Sequence, residues 1–355
     1  MAIHTEPIGS IPRPAALLQT MQSFAAGMTT REALDSACDD VVRDTLQRFE
    51  ETGSPVVTDG EQCKSSFATY PLDGIDHLAP DGVIIPFSDG HTRQLPRLTQ
   101  GPFHYGHKSG EFVRRARQFT SLPLKQAVIS ASALSLLYPE KGLSGYPRES
   151  FLEDLVREAE ADIRSAFDAG ADIVQIDFTE GRLSLKLDPS GGLLRQFVAL
   201  NNRVLEHFTP EERRKIGVHV CQGSDRDATH SADVDYTALL PDLFEMKVGR
   251  FYLQMASEPD RRPLLRLISQ LAGRQHKIFI GVIDPISPIV EKPQQVRDRV
   301  IEAAFFLPPE WQLGTTDDCG FSPFADDVST AREIAFAKIA ARVKGTALAA
   351  EQLGV

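Results

Sequence analysis

The sequence lacks a long hydrophobic run, an excess of basic residues and a recognisable export signal. Its longest nearly uncharged apolar stretch, 127–138, is far shorter than the ~18–20 residues that a helix needs to cross a bilayer. The 355 residues carry 49 acidic and 38 basic side chains, and Lys and Arg are nowhere gathered into a stripe, which argues against nucleic-acid binding. We therefore expect a cytoplasmic protein that binds neither membranes nor nucleic acids.

Cysteine is also scarce. The four cysteines are Cys38, Cys63, Cys221 and Cys319, which is too few for a disulfide framework in a chain of this length. In a reducing compartment such thiols either fill the core or take part in chemistry, so their spacing and neighbours have to decide which.

Short apolar runs alternate with amphipathic stretches along most of the chain. Most of the apolar runs are uninterrupted, as in strands that are buried on both faces. The predicted strands are 55–58, 127–130, 172–176, 216–220, 251–255, 278–283 and 312–315. The predicted helices are 30–51, 150–169, 193–207, 236–246, 294–306 and 327–343. This order is typical of a parallel sheet, either a closed (β/α)8 TIM barrel or an open doubly wound sheet.

Polar residues follow nearly every predicted strand. In a closed barrel all these carboxyl ends converge on one mouth, whereas an open sheet gathers only those at its switch point. The sequence also contains no glycine-rich phosphate loop, which an open nucleotide-binding sheet would carry. We therefore predict an α/β fold in which residues 1–355 form a single (β/α)8 TIM barrel.

Two segments depart from this repeat. Residues 70–120 are rich in proline, glycine and aromatic residues, and we predict that they form an inserted hairpin or lid after the first strand. The N-terminal arm, residues 5–14, is too rich in proline for a helix. We expect it to cross the mouth or the flank of the barrel.

His219 and Cys221 end the fourth predicted strand. Because side chains alternate along a strand, both point to the same side. Imidazole and thiolate are ligands that Zn²⁺ prefers, and a catalytic zinc needs a third protein ligand. Cys319, after the last predicted strand, would lie beside the same mouth. A buried His–Cys pair that binds no metal is the alternative at this point.

Six motifs follow one another in a fixed order: IGSIPRP near the start, then TDGEQ, QID, HVC, GVIDPISP and DDCG at the ends of predicted strands. Together they resemble the catalytic domain of the cobalamin-independent methionine synthase family, over nearly the whole chain, and its shorter, single-barrel members in particular. The resemblance implies a TIM barrel and a Zn²⁺ cofactor. It also implies transfer of a methyl group from methyltetrahydrofolate or another donor to homocysteine or a similar thiol.

The resemblance also implies roles for individual residues. The implied zinc ligands are His219, Cys221 and Cys319. The implied substrate-binding residues are Ile8, Gly9, Ser10, Glu61, Asp177 and Gln254. Glu61 and Asp177 would bind the amino group of the acceptor, and Ser10 would bind its carboxylate.

Some positions depart from the family pattern. Gln254 stands where the family has a zinc-binding glutamate, and Ile286 replaces an expected histidine. The tryptophan that the family stacks on the folate has no counterpart at residues 131–133, and the only tryptophan is Trp311. Asp284 completes a predicted catalytic set with Glu61 and Asp177, with helix capping as its alternative role.

Three other functions remain open. A His-x-Cys and Cys set without glutamate also resembles the epoxyalkane:coenzyme M transferases, which open an epoxide with a zinc-bound thiolate. A non-metal lyase of the uroporphyrinogen decarboxylase type would need an arginine-rich mouth, and a non-catalytic protein would bind zinc without turnover. The expected partners are a small-molecule thiol and a methyl or alkyl donor, and a homo-oligomer is compatible with the sequence.

Overall fold

The computed structural model describes residues 3–309 and 312–355, so Trp311 lies outside the described residues. The strands are β1 His4–Thr5, β2 Leu78–Ala79, β3 Ile84–Pro86, β4 Thr92–Gln94, β5 Arg97–Leu98, β6 Lys125–Ile129, β7 Ile173–Asp177, β8 Ile216–Val220, β9 Ser224–Asp225, β10 Ala228–Thr229, β11 Arg250–Leu253, β12 Lys277–Ile283 and β13 Leu313–Asp317. The α-helices are α1 Ala15–Ala25, α2 Arg31–Glu51, α3 Gly110–Arg117, α4 Ala131–Ser135, α5 Arg148–Asp168, α6 Glu180–Leu187, α7 Gly192–Leu205, α8 Pro210–Arg213, α9 Tyr236–Leu243, α10 Arg262–Leu271, α11 Pro293–Ala304 and α12 Arg332–Leu353.

Seven strands form one parallel sheet in the order β1-β13-β12-β11-β8-β7-β6. Val57 extends this order beyond β6, because it forms a parallel bridge with Leu124. Next to this bridge, the Thr58 hydroxyl donates to the carbonyl of Gly9, four residues after β1, at 2.8 Å. The chain is thus an α/β fold around a curled parallel sheet.

The six later predicted strands each overlap an observed strand, and every residue of β6, β7, β8 and β13 is buried. Burial on both faces explains their uninterrupted apolar pattern. The first predicted strand, 55–58, is reduced to a bridge at Val57, which donates to the carbonyl of Pro123 and accepts from the N–H of Lys125, both at 2.9 Å. Pro55 has no N–H with which to extend the ladder.

The outer helices follow their predicted apolar faces. Helix α5 buries Phe151, Leu155 and Ile163 on one side, and Gly170, with φ of 102°, follows it. Helix α12 begins later than predicted. Asp327 accepts the N–H and the hydroxyl of Ser329 and holds the preceding segment in a turn.

The region predicted as an insertion, 70–120, contains a 3-10 helix at Tyr70–Leu72, two short antiparallel ladders and one α-helix. β2 pairs with β5, and β3 pairs with β4 inside that ladder. Helix α3 packs against α2 and α5, so the last part of the region belongs to the outer layer of helices. Among the described residues, no helix is long and apolar enough to cross a membrane.

Candidate active site

His219, Cys221 and Cys319 meet at the carboxyl ends of β8 and β13. Their candidate ligand atoms lie within 4.8 Å of one another and all three residues are buried. The two sulfur atoms are 3.2 Å apart. Since β11 and β12 separate β8 from β13, a flat sheet would hold these strands roughly 14 Å apart, at ~4.8 Å per neighbour. The curl of the sheet therefore brings the three predicted ligands together.

Asp177 orients His219. The two residues are paired across β7 and β8, and Nδ1 of His219 lies 3.1 Å from Oδ1 of Asp177. Burial lowers the pKa of His219, but the hydrogen bond and charge of Asp177 outweigh burial and raise that pKa above its ordinary value. A carboxylate on one ring nitrogen is the usual way in which proteins orient a metal-binding histidine.

The two thiols differ in their proton affinity. The hydrogen bond from Cys221, together with smaller effects of His219 and Ser224, lowers the pKa of Cys319 to about 6, although burial acts in the opposite direction. The same contact, together with burial, raises the pKa of Cys221 well above its ordinary value. At neutral pH the pair therefore carries a thiolate, the form of cysteine that binds metals.

Asp318 fixes the segment that carries Cys319. Its carboxylate accepts the three backbone N–H groups of 255–257, each at 2.8 Å, and the hydroxyl of Ser257 at 2.7 Å. Gly281 leaves room for this carboxylate, because a Cβ at that position would lie 1.8 Å from Oδ1 of Asp318. The position of Cys319 is thus set by a neighbouring loop as well as by β13.

Glu61 lines the cavity next to the cluster from a strained turn, where its φ is 55° and that of Gly60 is 69°. Burial raises the pKa of Glu61 to about 7. Lys64 opposes this rise, while Asp177 and Asp59 add to it. Nζ of Lys64 lies 3.7 Å from Oε2 of Glu61. The charged form of Glu61 is therefore costly even beside Lys64, and a cationic group bound nearby would stabilise it.

The N-terminal arm packs directly against Glu61 and against the segment after β13. A Cβ on Gly9 would lie 2.9 Å from Oε1 of Glu61, and a Cβ on Gly320 would lie 2.1 Å from Oγ of Ser10. Ser10 accepts the N–H of Ser322 at 3.2 Å. The two glycines therefore allow a close approach that a side chain would prevent.

Arg13 is buried and anchors the arm. Its guanidinium donates to five backbone carbonyls, those of Glu61, Gln62, Lys64, Ser322 and Phe324. Since these contacts use all its N–H groups, Arg13 is not free to bind a substrate carboxylate. Arg226 is exposed and pairs with Asp326 at 2.7 Å. These contacts do not favour the arginine-rich mouth that a decarboxylase-type lyase would need.

A cavity opens beside the cluster. The predicted residues that line it are Ile8, Ser10, Glu61, Asp177, His219 and Cys319. A second cavity adjoins it and shares six of its lining residues, namely Phe67, Ile85, Arg93, Thr179, His230 and Phe324. The inner wall of this adjoining cavity includes Ile129, Ala133, Leu136, Glu180 and Leu183. The two cavities therefore form one cleft with a metal-cluster side and a largely apolar side.

The β3–β4 hairpin covers part of this cleft. Arg93 in β4 donates to both oxygens of Asp225 and to both oxygens of Asp326, the latter at 2.9 and 3.0 Å. Ile85 in β3 and Phe87 just after it contribute apolar wall. The sequence predicted an inserted hairpin, for which Asp89-Gly90 is a turn signal, but it gave no sign that Arg93 would reach two distant aspartates.

Gln254 and Asp284 do not line the cavity next to the cluster. Oε1 of Gln254 accepts the N–H of Gln222 at 2.6 Å, and its Nε2 donates to Ser257 at 2.8 Å. Asp284 accepts the N–H of Ile286 at 3.1 Å, a contact typical of a turn. These contacts hold both side chains within the fold, and substrate binding by Gln254 and catalysis by Asp284 stay predictions.

Comparisons with known proteins point to one family. Residues 3–341 match the family described as cobalamin-independent synthase, catalytic domain. A methionine synthase of Saccharolobus solfataricus is 22% identical over 351 residues, covering 98% of this chain and 95% of the relative. One from Pyrococcus furiosus is 23% identical over 321 residues, covering 89% and 85%.

Solved structures show the same fold. The structure of a B12-independent methionine synthase from Shewanella sp. W3-18-1, in complex with selenomethionine, superposes with a TM-score of 0.77 at 20% identity and covers 99% of both chains. The match to the family model extends over more than nine-tenths of the sequence. This chain therefore belongs to the family of the cobalamin-independent synthase catalytic domain.

Proposed function

We propose that this protein is a zinc-dependent thiol methyltransferase of the cobalamin-independent methionine synthase type. The observation that carries the proposal is the convergence of one imidazole and two thiols at the bottom of a cleft, within 4.8 Å of one another. Two relatives that match most of the chain are methionine synthases, and a structure of the same fold is in complex with selenomethionine.

His219, Cys221 and Cys319 would hold the metal, and their soft donor set suits Zn²⁺. When bound, Zn²⁺ supplies Lewis-acid activation, which lowers the pKa of an acceptor thiol and increases the fraction present as thiolate. Gln254 is engaged by the N–H of Gln222, and Glu258 pairs with Arg182 at 2.9 Å. Because these side chains are held by other residues, the fourth coordination position would fall to the acceptor sulfur or water.

The acidic residues of the cleft would position the acceptor. Glu61 and Asp177 line the cavity, and an ammonium group between them would relieve the cost of two buried carboxylates. Among the described residues, Asp177 forms its hydrogen bonds through Oδ1, which leaves Oδ2 for substrate. Ser10 and the adjacent arm, Ile8 and Gly9, would bind the carboxylate of an amino-acid acceptor such as homocysteine.

The methyl group would pass directly from the donor to the acceptor thiolate. The apolar walls and the β3–β4 hairpin would limit the access of water, which competes with the thiolate for the methyl group. We further propose that residues 1–355 form a single domain and that the curled sheet closes as a (β/α)8 barrel. The Val57 bridge and the contact between Thr58 and Gly9 support this closure. Within 70–120, the β3–β4 hairpin would act as the lid.

The test measures the metal content of the full chain, loaded with zinc and dialysed, by mass spectrometry. We expect about one zinc per chain in the wild type, little in Cys221→Ser, and wild-type content in Cys63→Ser, a matched cysteine outside the cluster. The wild type should also convert homocysteine into methionine when a methyl donor is supplied. Equal zinc content in Cys221→Ser and the wild type would contradict the proposal.

A further inference from the structure

Glu180 is a buried carboxylate that the proposed reaction does not use. It is 5% exposed and lines the adjoining cavity. Its Oε1 accepts the hydroxyls of Ser130 and Ser132, and Asn201 fixes Ser132 through a 2.7 Å hydrogen bond. Oε2 has no hydrogen-bond partner within the described part of the chain. Oε1 of this carboxylate is therefore held rigidly, while Oε2 lacks a partner from the described residues.

Among the described residues that line the adjoining cavity, no free cation compensates Glu180. Of the described residues that line the adjoining cavity, Arg93 and His230 are the basic ones. Arg93 is fully engaged by Asp225 and Asp326. Burial, together with two nearby cations, lowers the pKa of His230 to about 4, so it is neutral at physiological pH.

The charges of the cleft as a whole point the same way. Glu61 and Asp177 line the cavity next to the cluster, and Glu180 lines the adjoining one. Buried carboxylates favour a positively charged ligand and repel an anionic one. Phe67 and Phe324 line both cavities and meet edge to face at 5.5 Å. Arg93 already lies 4.1 Å from the ring centre of Phe324, an arrangement in which an aromatic ring attracts a cation.

We propose that the adjoining cavity binds a methyl donor whose reactive head is an organic cation, a sulfonium or quaternary ammonium group, with the carboxylate of Glu180 as its counter-ion. This proposal rests on the proposed thiol methyltransferase function and specifies its donor. A polyanionic donor, such as a folate with several glutamates, would find no unpaired basic side chain among the described residues lining the cleft.

The transfer step is balanced without any further reactant. The acceptor thiolate forms a new bond from its sulfur to the methyl carbon, while the bond from that carbon to the cationic sulfur or nitrogen breaks. The electron pair of the broken bond stays on the leaving atom, which becomes a neutral thioether or tertiary amine. Because an anion and a cation are converted into two neutral products, an apolar cavity lowers the barrier relative to water.

Calorimetry on the zinc-loaded full chain, without an acceptor thiol, tests the proposal. The probes are trimethylsulfonium, tetramethylammonium and methyltetrahydrofolate triglutamate, and the first two carry neither an amino group nor a carboxylate. We expect at least one onium ion to bind, and Glu180→Gln to weaken that binding about 10-fold or more. Glu206→Gln, which removes an exposed carboxylate paired with Lys247, should leave it unchanged. The better of the two onium probes identifies the class of donor.

If Glu180→Gln does not fold, a ligand-competition experiment on the wild type still tests the proposal. In excess, the weaker-binding onium ion should displace the tighter-binding one, whereas sodium chloride at equal ionic strength should not. Tighter binding of the folate than of either onium ion, binding of no onium ion, or an unchanged affinity in folded Glu180→Gln would overturn the proposal. Zinc content measured on the same samples reports separately on the proposed methyltransferase function.

Discussion

The protein contains two pairs of neighbouring thiols, and only one of them has the geometry of a metal site. In the inner pair, Cys221 contacts Cys319 beside His219. In the outer pair, Cys38 and Cys63 lie close enough for each thiol to shift the pKa of the other.

In both pairs the contact lowers the pKa of one thiol and raises that of the other. The two pairs differ in the side chain that lies beside the two thiols. The outer pair has Arg115, whose Nη1 lies 3.4 Å from the sulfur of Cys63, and a guanidinium has no lone pair to offer a metal. The inner pair has His219, oriented by Asp177. Proximity of two thiols is therefore not sufficient for a metal site, because at least one further side chain with a lone pair to offer is needed as well.

The largest difference between the pairs should appear when one cysteine of each is replaced. Cys319→Ser removes a proposed metal ligand, and we expect thiol methylation to fall by about 100-fold or more. Cys38→Ser changes a buried thiol in α2 and should retain methylation within a few-fold. Rates measured at saturating zinc decide this, and similar losses in the two variants would show that both pairs act only through stability.

A smaller effect is expected from the carboxylates beside each pair. Asp177→Asn keeps the shape of the side chain but weakens its hold on His219, so zinc affinity should fall about 10- to 100-fold. Asp35→Asn removes the partner of Arg115, which lies 2.7 Å away, and should leave zinc affinity unchanged. Competition with a chromophoric chelator measures both constants, and an unchanged affinity in Asp177→Asn would mean that β8 alone positions the imidazole.

Replacing Glu61 should alter the pH dependence of stability, whereas replacing Cys63, two residues further along the chain, should not. The pKa of Glu61 is raised in the folded protein from 4.5 to about 7, so the folded state binds more protons than the unfolded state between these values. Unfolding free energy should therefore decrease as pH rises from about 4.5 to about 7. In metal-free protein, urea unfolding should show a weaker decrease for Glu61→Gln than for the wild type. Cys63→Ser should follow the wild type.

The smallest effect is expected at Arg115. Its ion pairs with Asp35 and Asp39, at 2.7 and 3.0 Å, are partly exposed, and such pairs contribute about 1 kcal/mol or less. Arg115→Gln should lower the free energy of unfolding by about this amount and leave zinc content unchanged. A loss of zinc in this variant would show that the two pairs are coupled through the loop that carries Glu61.

The sequence predicted six of the seven strands of the sheet, because strands that are buried on both faces carry mostly apolar runs, as in β7 and β8. It did not predict β1, and the predicted strand 55–58 is only a bridge at Val57. It also placed His219, Cys221 and Cys319 at the ends of strands. Because a curled parallel sheet gathers such ends at one edge, their meeting could be predicted as well. The helix α3 inside the insertion was not predicted, since eight residues carry too weak a periodic signal.

The cleft was harder to predict than the cluster. Glu180 lies in the first turn of α6, where a glutamate ordinarily supports a helix N-terminus. Nothing local shows that its carboxylate turns toward Ser130 and Ser132. Arg93 likewise meets Asp225 and Asp326, partners 132 and 233 residues away. Contacts over such separations depend on the assembled fold and leave no pattern in a single sequence.

The five carbonyl contacts of Arg13 have a consequence for how the molecule is made. They join the beginning of the chain to carbonyls at 61–64 and at 322–324. The segment at 322–324 is synthesised last, so Arg13 can make only its contacts with 61–64 until almost the whole polypeptide has emerged. Contacts of such long range form late and slow folding. The cleft would thus be assembled only after translation is nearly complete, and truncated chains would leave it unfinished.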